Sequence, residues 1–321
     1  MTRFLRRLLI ATCCCLPPFA LAETFPSKPV RMVVGWPAGG PADAIARMVT
    51  QGMSDALGQS VVIDNRAGAG GNIGSEATAR AKPDGYTIML ATVASHGINP
   101  ALYPKLNYDP IGDFAPIGLI TTSPSTLVVP ANSPFKTVRE LIDAARAAPG
   151  KLNYGSAGNG SSPHLATSRF NVLAGVDIKG VPYKGTAPAL TDLMAGRVDF
   201  MITIGSIPYV KSGQLRALAV ASRARIPAMP DVPTFDEAGL PNFYTDWWYG
   251  LAAPAGTPRP ILERLNQALN AALANPQLQR QLVDLGALPV PPMGVDAFWE
   301  FVVAGMPRTA EMVRASGAKV E

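Results

Sequence analysis

The sequence predicts an α/β protein with two lobes, each built around a central sheet flanked by helices. Short apolar runs of strand length alternate with longer segments whose apolar residues recur at helical spacing. This alternation favours parallel sheets with helices on both faces. Two segments rich in proline, 121–134 and 244–258, are typical of crossings between lobes, so the chain is expected to pass between its two halves twice.

The first part of the chain has the pattern of a strand, a helix and two further strands. Residues 30–35 form a short apolar run that predicts a buried strand. Apolar residues recur at helical spacing within 45–57 and predict an amphipathic helix. Two more strands are predicted at 61–63 and, after an Asp-Gly turn signal, at 86–92.

The later part continues this alternation without a repeat of fixed period. A helix is predicted at 138–145, ended by a Pro-Gly pair, and a second at 187–194. Strands are predicted at 198–203 and 215–221, and helical patterns follow from residue 260 to the end. The predicted organisation is a signal peptide at 1–22, a first lobe formed by 23–123 and 246–321, and a second lobe at 124–245.

The first residues have the pattern of a secretory signal peptide. Three arginines precede an apolar run at 8–21, and the tripeptide Ala-Leu-Ala at 20–22 offers a cleavage site. All three cysteines lie at 13–15, inside this segment, so the mature chain would carry no thiol. Since a chain without thiols suits an oxidising compartment, we predict a periplasmic protein.

The charge balance argues against nucleic acid as a partner. The chain has 28 Lys and Arg against 23 Asp and Glu, and the predicted signal holds three of the arginines and no acid. The mature protein would therefore be nearly neutral. It has no run of basic residues of the kind that marks nucleic-acid binding.

Two glycine-rich segments each lie between a predicted strand and a predicted helix. They are GWPAGGPADAIAR at 35–47 and NYGSAGNGSSPH at 153–164. Glycine lets the backbone approach a ligand closely, and a helix N-terminus presents unpaired N–H groups and the positive end of its dipole. One such loop could be only a tight turn, but one in each lobe favours an anion site between the lobes.

Asp43, in the first turn of the helix after the first loop, has two interpretations. An acid at this position stabilises the helix dipole by about 0.3–1 kcal/mol. Alternatively, its carboxylate orders the loop or a water molecule at the ligand. The sequence leaves both open.

Catalytic and nucleotide-binding motifs are incomplete. The dinucleotide pattern begins at Gly68, but Ile73 stands where its third glycine should be. Tyr154 replaces the first glycine of a nucleophile elbow. His96 and His164 are the only histidines. Two histidines are few for the catalytic base of a hydrolase or for a metal site built from histidines. We therefore predict no enzyme activity, no cofactor and no metal.

Eight stretches, each weak alone, together point to one family by their order. They are FPSKPVRMVVGWPAGGPADAIAR, NRAGAGGNIGSEATARAKPDGYT, SHGINPALY, NYGSAGNGSSPHLA, VPYKGTAPALTDLMAGRVDFM, LRALAVAS, MPDVPTFDEAGLP and WYGLAAPAGTP. Through them nearly all of the predicted mature chain resembles the periplasmic solute-binding proteins of tripartite tricarboxylate transporters, the Bug family.

This resemblance implies a fold like that of type II periplasmic binding proteins, in which two Venus-flytrap lobes close on a small organic acid without catalysis. It implies that backbone amides of the two strand–helix loops hold the ligand carboxylate, often with ordered waters, and that Asp43 organises a loop or a water. It also implies membrane permease subunits as partners. The expected ligand-binding residues are Trp36, Pro37, Ala38, Gly39, Gly40, Asp43, Ser95, Gly155, Ser156, Ala157, Gly158, Asn159, Ser161, Ser162, His164, Thr203 and Trp247.

The predicted cleft also bears on the kind of ligand. Many members of the family carry an acid near Thr203, where this chain has uncharged Thr-Ile-Gly, and this argues against a ligand with an ammonium group. Trp36, Trp247 and Trp248 favour an aromatic or apolar carboxylate, unless they only pack in the core or fill the hinge. We expect a monomer. A ligand sensor that feeds a signalling partner and a periplasmic hydrolase stay open as alternatives.

Overall fold

The computed structural model describes residues 25–245 and 247–319, and the predicted signal peptide at 1–22 lies outside them. The fold is mixed α/β with two lobes. The strands are β1 Val30–Val34, β2 Val61–Asn65, β3 Thr87–Thr92, β4 Phe114–Ser123, β5 Thr126–Pro130, β6 Asn153–Ser156, β7 Lys179–Pro182, β8 Met201–Thr203, β9 Leu215–Val220 and β10 Trp247–Pro254.

The helices occupy most of the connections between strands. They are α1 Pro41–Leu57, α2 Asn72–Ala79, α3 Asn99–Leu102, α4 Val138–Ala147, α5 Ser162–Ala174, α6 Thr186–Met194, α7 Ile207–Lys211, α8 Arg259–Leu273, α9 Pro276–Asp284 and α10 Val295–Ser316. Within the described ranges, none of them combines the length and the apolar character that crossing a bilayer requires.

The first lobe is built on a five-stranded sheet of order β2-β1-β3-β10-β4. Strand β1 is parallel to β2 and β3, whereas β10 is antiparallel to both of its neighbours. Successive residues of β1 point to opposite faces: Met32 packs in the core beneath α1 and α8, and Val33 packs in the core on the other face. The sheet is therefore buried on both sides.

The second lobe repeats this strand order. Its ladders are β6-β7 and β8-β5-β9, and main-chain hydrogen bonds join them, from Gly155 N–H to Phe200 O at 3.1 Å and from Asp199 N–H to Asn153 O at 3.0 Å. The joined order, β7-β6-β8-β5-β9, has the same strand directions as the first sheet. The two lobes thus share a topology although the sequence shows no fixed-period repeat.

The prediction of parallel sheets was wrong for two strands. Strands β5 and β10 each enter a lobe from the crossing segments, at the edge where the neighbouring strands β8 and β3 end. A strand that starts where its neighbours finish must run antiparallel to them. The predicted strand at 198–203 is also shorter than expected and begins at Met201, because the chain is still turning after Gly196, which has φ +71°.

Hydrogen bonds tie the two crossing segments together. Ser125 lies between β4 and β5, and its N–H donates to Thr245 Oγ1 at 2.8 Å. The indole N–H of Trp247 donates to Ser125 Oγ at 2.7 Å. All three residues are buried. These bonds hold the two inter-lobe connections side by side at the base of the cleft. The lobe boundaries given above stay a prediction.

The lobes contact each other across the cleft. A Cβ atom added at Gly205 of the second lobe would lie 2.5 Å from Cγ of Pro41 in the first, and one at Gly160 would lie 2.0 Å from Cδ2 of Leu102. Lys211 Nζ also forms an ion pair across the lobes at 2.6 Å with Asp284. The structure is therefore a closed arrangement.

Candidate functional site

The carboxyl ends of strands from both lobes face one cleft. Strands β1 and β3 reach it from the first lobe and β6 and β8 from the second, and the carboxyl ends of parallel strands are where α/β sheets bind ligands. The cleft holds a cavity of about 100 Å³, the front cavity. Its walls are Trp36, Pro37, Ala38, Gly40, Pro41, Ala42, Thr92, Val93, Ala94, Ala157, Ser161, Ser162, Pro163, Lys184, Gly185, Thr186, Ala187, Pro188, Ile204, Trp247, Trp248 and Tyr249.

A second cavity of about 140 Å³ adjoins the first, and we call it the side cavity. The two share Gly40, Pro41, Ala187, Ile204 and Tyr249 as walls. The side cavity is lined in addition by Gly39, Ala44, Ile45, Ser123, Leu190, Gly205, Pro208, Tyr209 and Leu285. Since both lobes contribute to each cavity, both depend on lobe closure.

Asp43 orders the first glycine-rich loop, at 35–40, through hydrogen bonds. Its Oδ2 accepts the N–H of Gly39 at 3.0 Å and Nε of Arg47 at 2.8 Å, and its Oδ1 accepts Nδ2 of Asn65 at 3.0 Å. The same Asn65 amide group donates to the carbonyl of Trp36 at 3.1 Å. The buried carboxylate is thus a loop organiser, which is the second of the two interpretations of this residue.

The same contacts set the charge of Asp43. Burial alone would raise the pKa of its carboxyl group, but the hydrogen bonds from Arg47, Gly39 and Asn65 outweigh it, so the pKa is lowered. The carboxylate therefore stays ionised at neutral pH and keeps both oxygens as acceptors.

The first turn of α1 presents amides to the cleft. The first helical bond runs from Ala44 N–H to Gly40 O at 3.0 Å. The N–H groups of Gly40, Ala42 and Asp43 precede it and make no hydrogen bond to any described residue. Gly39 has φ +80°, which favours glycine, but its amide is committed to Asp43. The amides that remain for a ligand are those of the helix start.

The second loop is ordered in the same way by His164. Its Nδ1 accepts the N–H of Gly160 at 3.0 Å, which places the ring proton on Nε2. Ser161 Oγ donates to Gly158 O at 2.6 Å, and helix α5 begins with the bond from Leu165 N–H to Ser161 O at 3.0 Å. Burial lowers the pKa of His164, so the ring is neutral at pH 7.

Helix α5 faces the cleft from the opposite lobe. The N–H groups of Ala157 and Ser162 have no hydrogen-bond partner in the described part of the chain, and both residues line the front cavity. Residues with unpaired amides at or just before the two helix starts therefore line the same cavity from two lobes. Such amides, together with the helix dipoles, stabilise a negative charge between them.

A third loop was missed by the sequence analysis. Gly185 has φ +114° and leads into helix α6, and residues 184–188 line the front cavity. A Cβ atom at Gly185 would lie 3.4 Å from Cγ of Pro37 in the other lobe. The pattern of a strand, a Lys-Gly-Thr turn and a helix could have revealed this loop, because it has the same order of elements as the other two.

Lys184 is the single charged side chain among the described residues that line the two cavities. It makes no hydrogen bond or ion pair with any of those residues, and it is exposed at the rim. No carboxylate lines either cavity there. The cleft therefore favours anions and offers no negatively charged partner to an ammonium group.

The tryptophans serve the hinge and the core as well as the cavity wall. Trp247 is committed to Ser125 through its indole N–H. Trp248 packs its ring 5.7 Å from Phe298 and 6.2 Å from Phe301, measured between ring centroids, on the side of α10. Trp36 is partly buried and contacts the core of the first lobe beneath α1. All three still border the front cavity.

The structure brings about half of the predicted site residues to a cavity surface. Ser95 lies elsewhere and is buried, donating to Thr92 O at 3.0 Å. Thr203 is buried at the end of β8, and Asn159 is exposed outside both cavities. Residues that line neither cavity also include Asp43, Gly155, Ser156, Gly158 and His164. Those that line one are Trp36, Pro37, Ala38, Gly39, Gly40, Ala157, Ser161, Ser162 and Trp247.

No metal site is evident in the described residues, where no three His, Cys, Asp or Glu side chains gather around a common point. The residues that sequence reasoning missed are chiefly those at strand ends. Thr92 is the last residue of β3 and Val93 follows it, Ile204 follows β8, and Tyr249 lies on β10. Only the folded sheets show that these ends meet.

The family model for the tripartite tricarboxylate transporter family receptor matches residues 45–317. The chain belongs to this family. Among its relatives, BugT of Bordetella pertussis is 36% identical over 326 residues, covering 100% of this chain and 99% of BugT. The receptor therefore resembles a Bug protein along its whole length.

Solved structures agree with this assignment. The receptor is similar to the periplasmic binding protein BugD, with a TM-score of 0.87 and 37% identity over 92% of this chain and 100% of BugD. It is similar also to Rpa4515 of R. palustris determined with adipate, with a TM-score of 0.88 and 37% identity over 92% of this chain and 99% of that one. The family is one of periplasmic binding proteins.

Proposed function

We propose that this receptor captures a small organic carboxylate between its lobes in the periplasm and delivers it to the membrane subunits of a tripartite tricarboxylate transporter. One observation carries the proposal: unpaired amides at the starts of α1 and α5 open from two lobes onto one cavity that no acidic side chain of the described chain lines. Each hydrogen bond to a carboxylate contributes about 1.5–3 kcal/mol. The adipate held by the R. palustris neighbour supports the same ligand class.

The ligand is an acid without an ammonium group and with an apolar body. Lys184 is the only charged lining residue in the described ranges, so an amino group would lose its water without gaining a negatively charged partner. Pro37, Trp36 and Trp248 offer apolar surface beside the amides. An aromatic or aliphatic acid fits these walls.

The binding site is complete only when the two lobes close. The two helix starts belong to different lobes, so both reach a carboxylate only when the lobes meet, and a ligand that binds the closed form better shifts the population toward it. In this proposal 23–123 with 246–321 move against 124–245, and the paired crossings at Ser125 and Thr245 act as the hinge. The closed monomer is then the form that the membrane subunits recognise.

The proposal includes no catalysis. Ser156, the serine of the incomplete elbow, is 1% exposed on β6, and His164 Nδ1 is committed to the amide of Gly160. Neither is placed to form a nucleophile–base pair. If the wild-type protein hydrolyses esters and Ser156→Ala does not, the proposal that the protein has no catalytic activity is overturned.

Calorimetric titration with a panel of carboxylates and amino acids tests the ligand class, and mass spectrometry of ligand carried through purification identifies the natural one. Gly158→Ala is expected to weaken binding at least ~10-fold, because φ is +112° there and the new Cβ would lie 3.3 Å from Tyr183 O behind the amide-bearing loop. Gly175→Ala is the matched control, since φ is +60° and no atom lies within 4 Å of its Cβ.

Equal affinities of the two variants, or preference for amino acids over carboxylates, would overturn the assignment. Delivery is tested in vesicles that contain the permease subunits, where uptake of the identified ligand should require added receptor. Light scattering after size-exclusion chromatography measures the molar mass in solution and tests whether the protein is a monomer.

A further inference from the structure

Tyr249 is a buried phenol whose hydroxyl is unpaired. The residue is 5% exposed, and its Oη makes no hydrogen bond to any residue that the structure describes. The hydroxyl oxygen is also not completely buried, in contrast to His96 Nε2 and Ser206 Oγ, which are buried without a partner. It therefore touches open space. Buried polar groups are nearly always paired, and an unpaired one that borders a cavity indicates a partner within that cavity.

The direction of the ring follows from the strand. Neighbouring side chains on a strand point to opposite faces. Trp248 points toward Phe298 of α10, whereas Tyr249 belongs to the core beneath α1. Ile45 of that core and Leu285 beside it line the side cavity, as Tyr249 does. The phenol therefore stands at the junction where the front cavity continues into the side cavity.

The side cavity has the chemistry of a subsite for a short chain. Its walls are mostly apolar, with Ile45, Leu190, Ile204 and Leu285 among them, and no charged residue of the described chain lines it. It meets the front cavity along Gly40, whose amide belongs to the first anion loop. A ligand held by its carboxylate at the helix starts can extend past Gly40 into this space.

We propose that the side cavity is a subsite for the far end of the ligand, where the Tyr249 hydroxyl donates a hydrogen bond to a second oxygen on that end. The ligand class is then a carboxylic acid with a short apolar chain and a second acceptor oxygen, of which a dicarboxylate is the simplest case. This inference rests on the proposed function, because it assumes a carboxylate at the two loops.

The phenol is suited to donate and not to ionise. Burial raises the pKa of Tyr249 above its usual value, so the hydroxyl keeps its proton at physiological pH. A neutral donor against a carboxylate is a charge-assisted hydrogen bond, which is among the stronger kinds in proteins.

Tyr249→Phe removes only the hydroxyl. The test titrates wild type and variant with straight-chain dicarboxylates from malonate to suberate, each paired with the monocarboxylate of equal length. The variant is expected to lose about 10- to 100-fold in affinity for the dicarboxylate that the wild type binds best, and less than about 2-fold for its monocarboxylate partner. Tyr86→Phe is the control, since that hydroxyl bonds to Ser27 and lines neither cavity.

The outcomes separate the subsite from the function. If wild type binds an acid of the panel and Tyr249→Phe binds both members of a pair unchanged, or loses both equally, the subsite is overturned and the proposed function stands. If wild type binds no acid of this straight-chain panel, the subsite is overturned, whereas the proposed function fails only if the wider panel of carboxylates, aromatic acids included, also gives no binding.

A second variant tests the cavity without the hydroxyl. Ala44 lines the side cavity from α1 and borders the front cavity nowhere. Ala44→Leu fills part of the side cavity, so the preferred chain length should become shorter while short acids keep their affinity. An unchanged length preference, in a variant with unchanged melting temperature, would overturn the subsite.

Discussion

The main-chain amide of Gly160 donates to Nδ1 of His164, four residues further along the chain. Gly39 stands in the same relation to Asp43 in the other lobe, at 3.0 Å in both cases. In each lobe an acceptor in the first turn of a helix fixes the glycine loop before it, and other amides of the helix start make no hydrogen bond to any described residue. A carboxylate in one lobe and a neutral imidazole in the other thus accept the equivalent glycine N–H, and they differ in how they respond to pH.

Asp43→Ala is expected to weaken carboxylate binding by ~10-fold or more and to lower the free energy of unfolding by about 1–3 kcal/mol. The substitution leaves the N–H of Gly39 and the amide of Asn65 without their acceptor, so the loop at 35–40 loses its fixed shape. Calorimetric titration and urea unfolding measure the two effects. Asp55→Ala is the control on the same helix, because Asp55 is exposed and accepts only from Gln51. Equal affinities of the two variants would show that Asp43 is not needed to order the loop.

Affinity should fall in acid through His164. Its pKa lies below the usual value of 6.5 because of burial. The ring is therefore mostly neutral at pH 6.5 and becomes protonated at lower pH, where Nδ1 can no longer accept from Gly160. In the folded protein His96 stays neutral above about pH 4, since its own pKa is about 3.

The measurement compares wild type with His164→Gln, which retains an acceptor that does not titrate. The affinity of wild type relative to that of His164→Gln should fall as the pH decreases from 7.5 to about 4, with most of the decrease below 6.5, while protonation of the ligand affects both proteins alike. A constant ratio over the whole range would contradict the role given to His164.

Gly205→Ala is expected to hinder closure. The new Cβ would lie 2.5 Å from Cγ of Pro41 in the other lobe, so the lobes must stay apart to accommodate it. Gly213→Ala is a close control, with φ +75° against +74° for Gly205 and no atom within 4 Å of its Cβ. Both variants should lose about 1 kcal/mol of stability from a positive φ, but only Gly205→Ala should weaken binding ~10-fold or more and increase the radius of gyration in solution scattering. A similar loss of affinity in both would mean that backbone strain, and not the contact with Pro41, is responsible.

The fold could be predicted to the extent that it is encoded locally. Helix α1 begins at Pro41 after a glycine loop and ends before Gly58, which has φ +70°, and these are signals that a sequence displays. Strand direction is not local. Strands β5 and β10 are antiparallel because the chain crosses between lobes ahead of each, and nothing within either segment records where it came from.

The candidate site likewise has a part that is encoded locally in the sequence and a part that depends on the fold. The two loops were predicted because glycine, proline and a helix start stand next to each other in the chain. Tyr249, Ile204 and Thr92 were missed because they are ordinary strand or strand-end residues, and only the meeting of two sheets gives them a cavity to line. Ser95 and Thr203 had suitable chemistry, but their side chains are buried within one lobe, so composition alone could not separate them from the cavity wall.

His96 should make the receptor sensitive to acid independently of its ligand. The imidazole is fully buried among Phe114, Trp248 and Trp299, its Nδ1 lies 2.8 Å from Ser95 Oγ, and its Nε2 has no partner. Burial lowers its pKa to about 3, whereas the unfolded chain takes up the proton near pH 6.5.

Between these two values the unfolded state binds one proton more than the folded state, so stability decreases as pH falls through this range. The decrease is about 1.4 kcal/mol per pH unit, which is about 2–3 kcal/mol by pH 4.5. Urea unfolding of wild type and His96→Gln across this range should show a shallower pH dependence in the variant, with the difference closing above about pH 6.5. Parallel pH profiles of the two proteins would mean that this histidine does not resist protonation in the folded state.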